Sequence, residues 1–286
     1  MCRIKLNLNN RNITKSTVRK KVIFFSILAM ILIFVSLLAP YITPNDPYAT
    51  NFSYMKSAPT LQFIFGTDKL GRCIFSRVLM GTMTSIFSAL FLVITTMITG
   101  TTLGVIAGYY GGILDNLIMR LVDILLTFPQ MVLAIAVAGV LGGNMTNAII
   151  ALGITGWTLY ARLARSQVIA LKQEEYIDAA RLCGNSSIRI IIVHILPNIT
   201  GEIIVNATIQ IGITMLGFAG LSYLGLGVQV PEAEWGSMIN EARGYIQQAP
   251  WAVLAPGMAL FVTVSVFNLL GNAISDYIGI RSSNHE

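Results

Sequence analysis

The sequence predicts an all-α integral membrane protein with six transmembrane helices and both termini in the cytoplasm. Three observations predict it. First, 55% of the 286 residues are hydrophobic and only 11% are charged, whereas a soluble domain of this length carries charge at about a quarter of its positions. So little polar surface does not cover a water-soluble globule, and most of the solvent must be lipid. Second, six segments hold the roughly 20 mostly apolar residues that a spanning helix needs. Third, Lys and Arg divide unequally between alternate connecting segments, which sets orientation.

The elements follow in order. A basic tail, residues 1–21, carries Arg3, Lys5, Arg11, Lys15, Arg19, Lys20 and Lys21 with no acidic neighbour. Beside an apolar run it reads as a cytoplasmic anchor facing anionic lipid. The net charge of +6 therefore sits largely in a tail rather than on one basic face, which argues against a nucleic-acid partner. The run from Val22 to Ile42 is longer than a signal-peptide core of about 7–15 residues, and it reads as a retained first span. The second span is expected at Ser85–Ala107, the third at Leu117–Val140 and the fourth at Thr146–Leu163. Gly142, Gly143 and Asn144 supply the tight turn between the third and fourth. The fifth is expected at Ile203–Tyr223 and the sixth at Trp251–Leu270. Pro129 and Pro256 are expected to bend their helices.

With the N-terminus inside, fourteen of the nineteen Lys and Arg residues fall on inner segments and five on outer ones. The outer segments, 43–84 and 224–250, are too polar or too broken by proline to span. Trp235 and Tyr245 there, with Trp251 just beyond, suit a membrane–water interface. The organisation is then a tail at 1–21, a first span plus extracytoplasmic segment at 22–83, a main membrane domain at 84–275 and a tail at 276–286. The spacing of Cys2, Cys73 and Cys183 fits neither a zinc site nor a disulfide framework. Only His194 and His285 are available as imidazole ligands, so no metal cage is expected.

The loop between spans four and five, 173–198, reads as helix, break, helix. Glu174, Glu175 and Asp178 suit the positive end of the first helix and Arg181 its negative end. Ala179 and Ala180 are small enough for another backbone or side chain to approach closely. Gly184 fits the left-handed position that ends a helix, Ser186 or Ser187 caps the next, and Pro197 stops or kinks it.

The order Asp178, Ala179, Ala180, then Gly184, then Leu196 and Pro197 resembles the cytoplasmic signature of ABC-type importer permeases. Two positions depart from it: aspartate replaces the usual glutamate at 178, and His194 stands where isoleucine is common. His194 followed by Ile195, Leu196, Pro197 and Asn198 is similar to the dipeptide, oligopeptide and nickel branch. Other segments resemble that branch too: Gly66 to Arg72 followed by Ser76 and Arg77, and Gly108 to Gly112 with Asp115, Met119, Arg120 and Asp123. So do Leu224 to Gly227, Glu234 to Gly236, and Asn268 to Gly271. Cys73 occupies a place where aspartate is frequent.

The resemblance implies a type I ABC importer transmembrane domain over 84–275. It implies a homologous second permease subunit, two cytoplasmic ATPase subunits that use ATP and Mg, and an extracytoplasmic substrate-binding protein. The loop would dock on the ATPase as a coupling helix through Glu175, Tyr176, Asp178, Ala179, Ala180, Arg181 and Gly184. No phosphate-binding Gly-x-x-x-x-Gly-Lys-Ser/Thr motif occurs, so this chain is expected to be no enzyme and to bind no cofactor itself.

Candidates for lining the pathway are Asn206, Gln210 and Asn268, with Gln130 and Thr263 as further polar groups at depth; each is also explained by an interhelical hydrogen bond. Asn206 and Gln210 are four apart and share a helix face. Glycines 100, 104, 212, 217 and 220 permit close helix packing. An ion-coupled secondary transporter is the alternative, but it needs charge at depth or paired broken helices. An intramembrane enzyme would need a nucleophile or zinc motif. The segments around Trp157 to Arg162 and Ala233 to Arg243 look nearer to nickel-type members, so a bacterial inner-membrane permease for nickel or a nickel chelate is expected, with short peptides next.

Overall fold

The computed structural model describes the backbone of residues 2–282 and the side chains of 17–279. The tail cations Arg3, Lys5, Arg11 and Lys15, and also Cys2 and His285, lie outside the described side chains. The elements are helical throughout: α1 (Cys2–Ile42), α2 (Ile74–Tyr110), α3 (Gly112–Leu126), α4 (Gln130–Leu141) and α5 (Met145–Leu171). After them come α6 (Glu175–Leu182), α7 (Ser187–Ile190), α8 (Leu196–Tyr223), α9 (Trp235–Ala242) and α10 (Trp251–Ser282).

Four helical stretches are long and apolar enough to cross a membrane: Thr17–Ile42, Ile74–Tyr110, Ser187–Tyr223 and Trp251–Gly279. The expected third span differs. Between Leu126 and Gln130 the chain bends by 84°. Pro129 has no N–H to continue the ladder of α3, and it adopts φ −55°, ψ 128° as the N-cap of α4. The pair α3–α4 is thus a broken element rather than one straight helix over Leu117–Val140. The fourth expected span sits within α5, whose 27 residues reach about 40 Å at 1.5 Å each. Pro256 lies inside α10 and does not end it.

Pro197 likewise does not stop its helix. It sits in the first turn of α8, behind a π-helical turn at Ile191–Ile195 in which the Leu196 N–H bonds the Ile191 carbonyl. The wider turn makes room for the proline ring, and the amide of Asn198 donates to the His194 carbonyl at 2.6 Å. Ser187–Tyr223 thus runs as one element.

Helix α2 begins at Ile74, eleven residues before Ser85, and spans about 55 Å over its 37 residues. That exceeds the roughly 30 Å hydrocarbon thickness, and its first turns build a cap with the segments 43–73 and 224–250. Trp235 is 1% exposed, its indole donating to the Val78 carbonyl at 3.0 Å. Tyr245 is also buried. Both therefore belong to the cap core and not to a lipid interface as their residue types suggested. Glu234 caps α9, accepting from the N–H groups of Gly236 and Ser237, each at 2.8 Å.

Helix α2 packs most extensively against α5 and also contacts α8; α1, α8 and α9 lie on α10. The α2–α5 contact is a backbone contact. A β-carbon at Gly100 would lie 2.2 Å from the Trp157 carbonyl oxygen, and one at Gly104 would lie 2.3 Å from that of Ala161. Gly212, Gly217 and Gly220 meet only side-chain atoms closer than 3.4 Å, so close packing by glycine is enforced in α2 and slack in α8.

Candidate functional site: the 172–198 loop and the adjoining cavity

Helix α5 ends at Leu171, and Lys172 turns back to the end of α2. Its Nζ donates to the Tyr109 carbonyl at 2.7 Å and lies 5.6 Å from the Tyr109 ring centre. A cation at a helix C-terminus meets the negative end of the dipole, so this contact fixes where the loop departs.

Helix α6 then forms on local signals. Glu175 and Asp178 occupy its first turn and Arg181 its last, with an Arg181–Asp178 ion pair at 2.9 Å. Gly184 takes φ +79°. The Asn185 N–H bonds the Ala180 carbonyl at 3.2 Å and the Gly184 N–H bonds the Arg181 carbonyl at 2.9 Å. Those two bonds define a Schellman ending. Ser186 caps α7, its oxygen accepting from the Arg189 N–H at 3.4 Å. No atom lies within 4 Å of a β-carbon at Gly184, so this glycine is required by its backbone angle and not by crowding.

Burial separates the two alanines. Ile177 and Ala180 are buried in a cluster with Tyr109, Tyr160, Val168, Ile190, Ile195 and Ile199. Tyr176, Asp178, Ala179, Arg181 and Leu182 are exposed, Leu182 at 89%. Ala180 therefore seats α6 on its own protein, and only Ala179 offers a small side chain to another chain. Tyr176 joins the two arms: the Asn198 amide donates to its hydroxyl at 3.3 Å, and its ring centre is 6.4 Å from that of His194. Partial desolvation of the hydroxyl, and the nearby Glu174 charge, push its phenol above the usual tyrosine range. Ile188, Ile192 and Val193 extend the exposed apolar surface along the next turns.

Ion pairs hold α3 against α5. Arg165 grips Asp115 through both nitrogens of a fork, at 2.5 and 2.6 Å, and Arg162 Nη2 donates to Asp123 at 2.9 Å. Beside Arg162 lies a cavity of about 600 Å³ bounded by the α3–α4 bend, α5 and α8. Gln130 and Gln210 line it, together with Thr155 and Thr158. A second cavity of about 240 Å³ shares Gln130, Gly156, Gln210 and Ile213 with it. Of the three pathway candidates, only Gln210 lines these cavities. The Asn206 amide is spent locally on the Glu202 carbonyl at 2.9 Å. Asn268 faces α8, its amide nitrogen 3.3 Å from where a Gly212 β-carbon would be.

Sequence reasoning did not identify the cap's charge cluster. Arg72 and Arg77, each 1% exposed, meet Asp68 and Glu241: Arg72 Nε reaches Asp68 at 2.6 Å, Arg72 Nη2 bonds Glu241, and Arg77 Nη2 reaches Glu241 at 3.4 Å. Two Arg residues within a short polar stretch before an apolar span were the available signal, but their partner Glu241 lies 169 residues from Arg72. Among the described residues, no three His, Cys, Asp or Glu side chains group in a way that would hold a metal ion.

Comparison with known proteins agrees with this architecture. A family model described as binding-protein-dependent transport system inner membrane component matches residues 100–283. The dipeptide transport system permease protein DppC of Alkalihalophilus pseudofirmus is 44% identical, covering 85% of this chain and 80% of its own length. The nickel transport system permease protein NikC of Escherichia coli K12 is 40% identical over 92% of this chain and 93% of its own. The glutathione transport system permease protein GsiD of Pectobacterium atrosepticum is 43% identical over 86% and 82%. Identity thus does not single out the nickel-type relatives. In fold, the chain is similar to the MetNI methionine ABC transporter in an inward-facing conformation, with a TM-score of 0.51 at 19% identity, covering 69% of this chain and 94% of that one. The chain belongs to the binding-protein-dependent transport system inner membrane components, as a permease of the peptide and nickel branch of ABC importers.

Proposed function

We propose that this chain forms half of the translocation pathway of an ATP-driven importer for di- or oligopeptides or metal chelates. A homologous permease supplies the other half, a binding protein delivers cargo from outside, and one of two ATPases docks on α6. In this reading α5 completes six spans, both termini are cytoplasmic, and the chain performs no hydrolysis itself. The observation that carries it is the two-sided α6: Ile177 and Ala180 hold it to the core, while Tyr176, Ala179 and Leu182 face outward. Exposed apolar surface rimmed by Glu175, Asp178 and Arg181 marks an interaction site. A helix seated this way transmits a push on its outer face to α2, α5 and α8 through the same cluster.

The test uses the permease co-expressed with its partner subunits. Ala179→Leu should leave the permease folded and abundant while reducing ATPase co-purification and ATP-dependent uptake. Ala180→Leu should instead lower permease stability, because overpacking a buried site costs about 1–3 kcal/mol. Full uptake and full ATPase recovery in Ala179→Leu would refute the docking role.

A further inference from the structure

We infer that Arg162 receives a carboxylate of the cargo inside the 600 Å³ cavity, so that the pathway passes organic carboxylates, free or as ligands of a chelated metal, and not a bare divalent cation. This rests on the importer reading above.

The volume falls within the roughly 300–1,000 Å³ typical of small-ligand cavities. Arg162 stands 17 residues into α5, about 26 Å along its axis. Its side chain is 57% exposed. Its place along α5 is toward the inner end of the span, where a guanidinium keeps contact with water, and Arg162 lines the cavity there.

Its electrostatics are half-spent. Asp123 accepts one bond, from Nη2 at 2.9 Å. A guanidinium carries five N–H donors in a fixed fork, so the bond to Asp123 leaves donors for a second carboxylate in the planar geometry that Arg favours. Gln130 and Gln210 add amides that both donate and accept, as a peptide group requires. The remaining wall is largely Leu125, Leu126, Leu159 and Ile213, which accept varied side chains without reading them. Gln130 is the first residue of α4, whose N-terminus has no side-chain cap, and that end of a helix favours negative charge. A dehydrated nickel ion would instead want imidazole, thiolate or carboxylate ligands. The lining has none, and Asp123, the carboxylate paired with Arg162, is outside it.

The test uses the complete transporter in proteoliposomes with its binding protein. Wild type is offered radiolabelled dialanine, nickel citrate and Ni²⁺ alone. Loss of one charge-assisted contact of this kind costs about tenfold or more. For whichever carboxylate cargo is imported, Arg162→Gln should lower the maximal uptake rate by about that factor at saturating cargo, with the binding protein's own affinity unchanged. Arg162→Lys should restore part of the rate. Asp123→Asn should retain uptake at or above the wild-type rate, because it releases the guanidinium. If Arg162 served only to tether α3 to α5, Asp123→Asn would fall as far as Arg162→Gln, and that result overturns the inference. So does import of Ni²⁺ alone in preference to both carboxylate cargoes, or an Arg162→Gln rate equal to wild type. Absence of ATP-dependent uptake of any of the three by wild type strikes instead at the importer reading itself.

Discussion

Replacing Gly104 with alanine tests the backbone contact on which the α2–α5 pair depends. The added β-carbon would lie 2.3 Å from the Ala161 carbonyl oxygen and 2.9 Å from both the Ala161 α-carbon and the Ala164 β-carbon. Real β-carbons essentially never approach closer than 3.0 Å, so the two helices must separate locally by at least 0.7 Å. The closest neighbour is main chain, so rotamer adjustment does not relieve it. Overpacking of this kind costs about 1–3 kcal/mol. The displaced stretch carries Arg165, whose pair with Asp115 holds α3, and Arg162, which lines the 600 Å³ cavity, so transport should fall along with stability. The control is Gly257→Ala in α10, where a β-carbon meets nothing within 4 Å and alanine in a helix interior is worth roughly 0.5–1 kcal/mol over glycine. Thermal unfolding in detergent should show Gly104→Ala below wild type and Gly257→Ala at or above it, and vesicle uptake should follow the same order. Equal melting temperatures and equal uptake for the two variants would refute the idea that α2 and α5 touch through their backbones.

Three further outcomes are expected. Glu241→Ala leaves Arg72 and Arg77 buried with Asp68 as the one remaining carboxylate of the cluster; breaking a buried pair costs about 3–5 kcal/mol, so this variant should melt far below exposed Glu232→Ala in the same detergent. Burial pushes the Tyr245 phenol up to about 12, so its contribution to stability is complete below the unfolded value near 10 and is lost as pH rises through 12. Wild type should therefore lose more stability than Tyr245→Phe between those limits, and parallel alkaline melting curves would contradict the burial. Gly184→Ala forces a β-carbon into φ +79° at about 1–2 kcal/mol, and faster hydrogen exchange at residues 184 and 185, whose N–H groups close α6, should report it; Gly184→Asn should be milder.

Much of the 172–198 loop was legible because its signals are local. Acidic residues at one helix end, Arg181 at the other, Gly184 beyond it and Ser186 as the next cap all act within a few residues of where they stand. The membrane class was legible for a similar reason, since composition and apolar run length need no knowledge of partners. Pro129 was legible as a bend but not in size: an 84° turn depends on where α4 is packed against α5, which no run length encodes. Pro197 was legible as a stop or a kink, and the stop does not occur. A missing N–H ordinarily ends a helix, but here a π turn precedes the proline and the helix runs on.

The sequence by itself determined the solvent, the helical class, the local caps of α6 and the order of motifs that marks the family, because each depends on residues close together along the chain. The tertiary structure alone decided which face of α6 is available, since Ala179 and Ala180 differ only in what packs against them. It decided that Trp235 and Tyr245 are core residues of a cap, and that Gln210, and neither Asn206 nor Asn268, lines the two cavities beside the α3–α4 bend. It also paired Arg162 with Asp123, 39 residues away, and Arg72 with Glu241, 169 residues away. The physical reason is the same throughout: burial and ion pairing are settled by which helices lie side by side, and side-chain type carries no record of its distant neighbour.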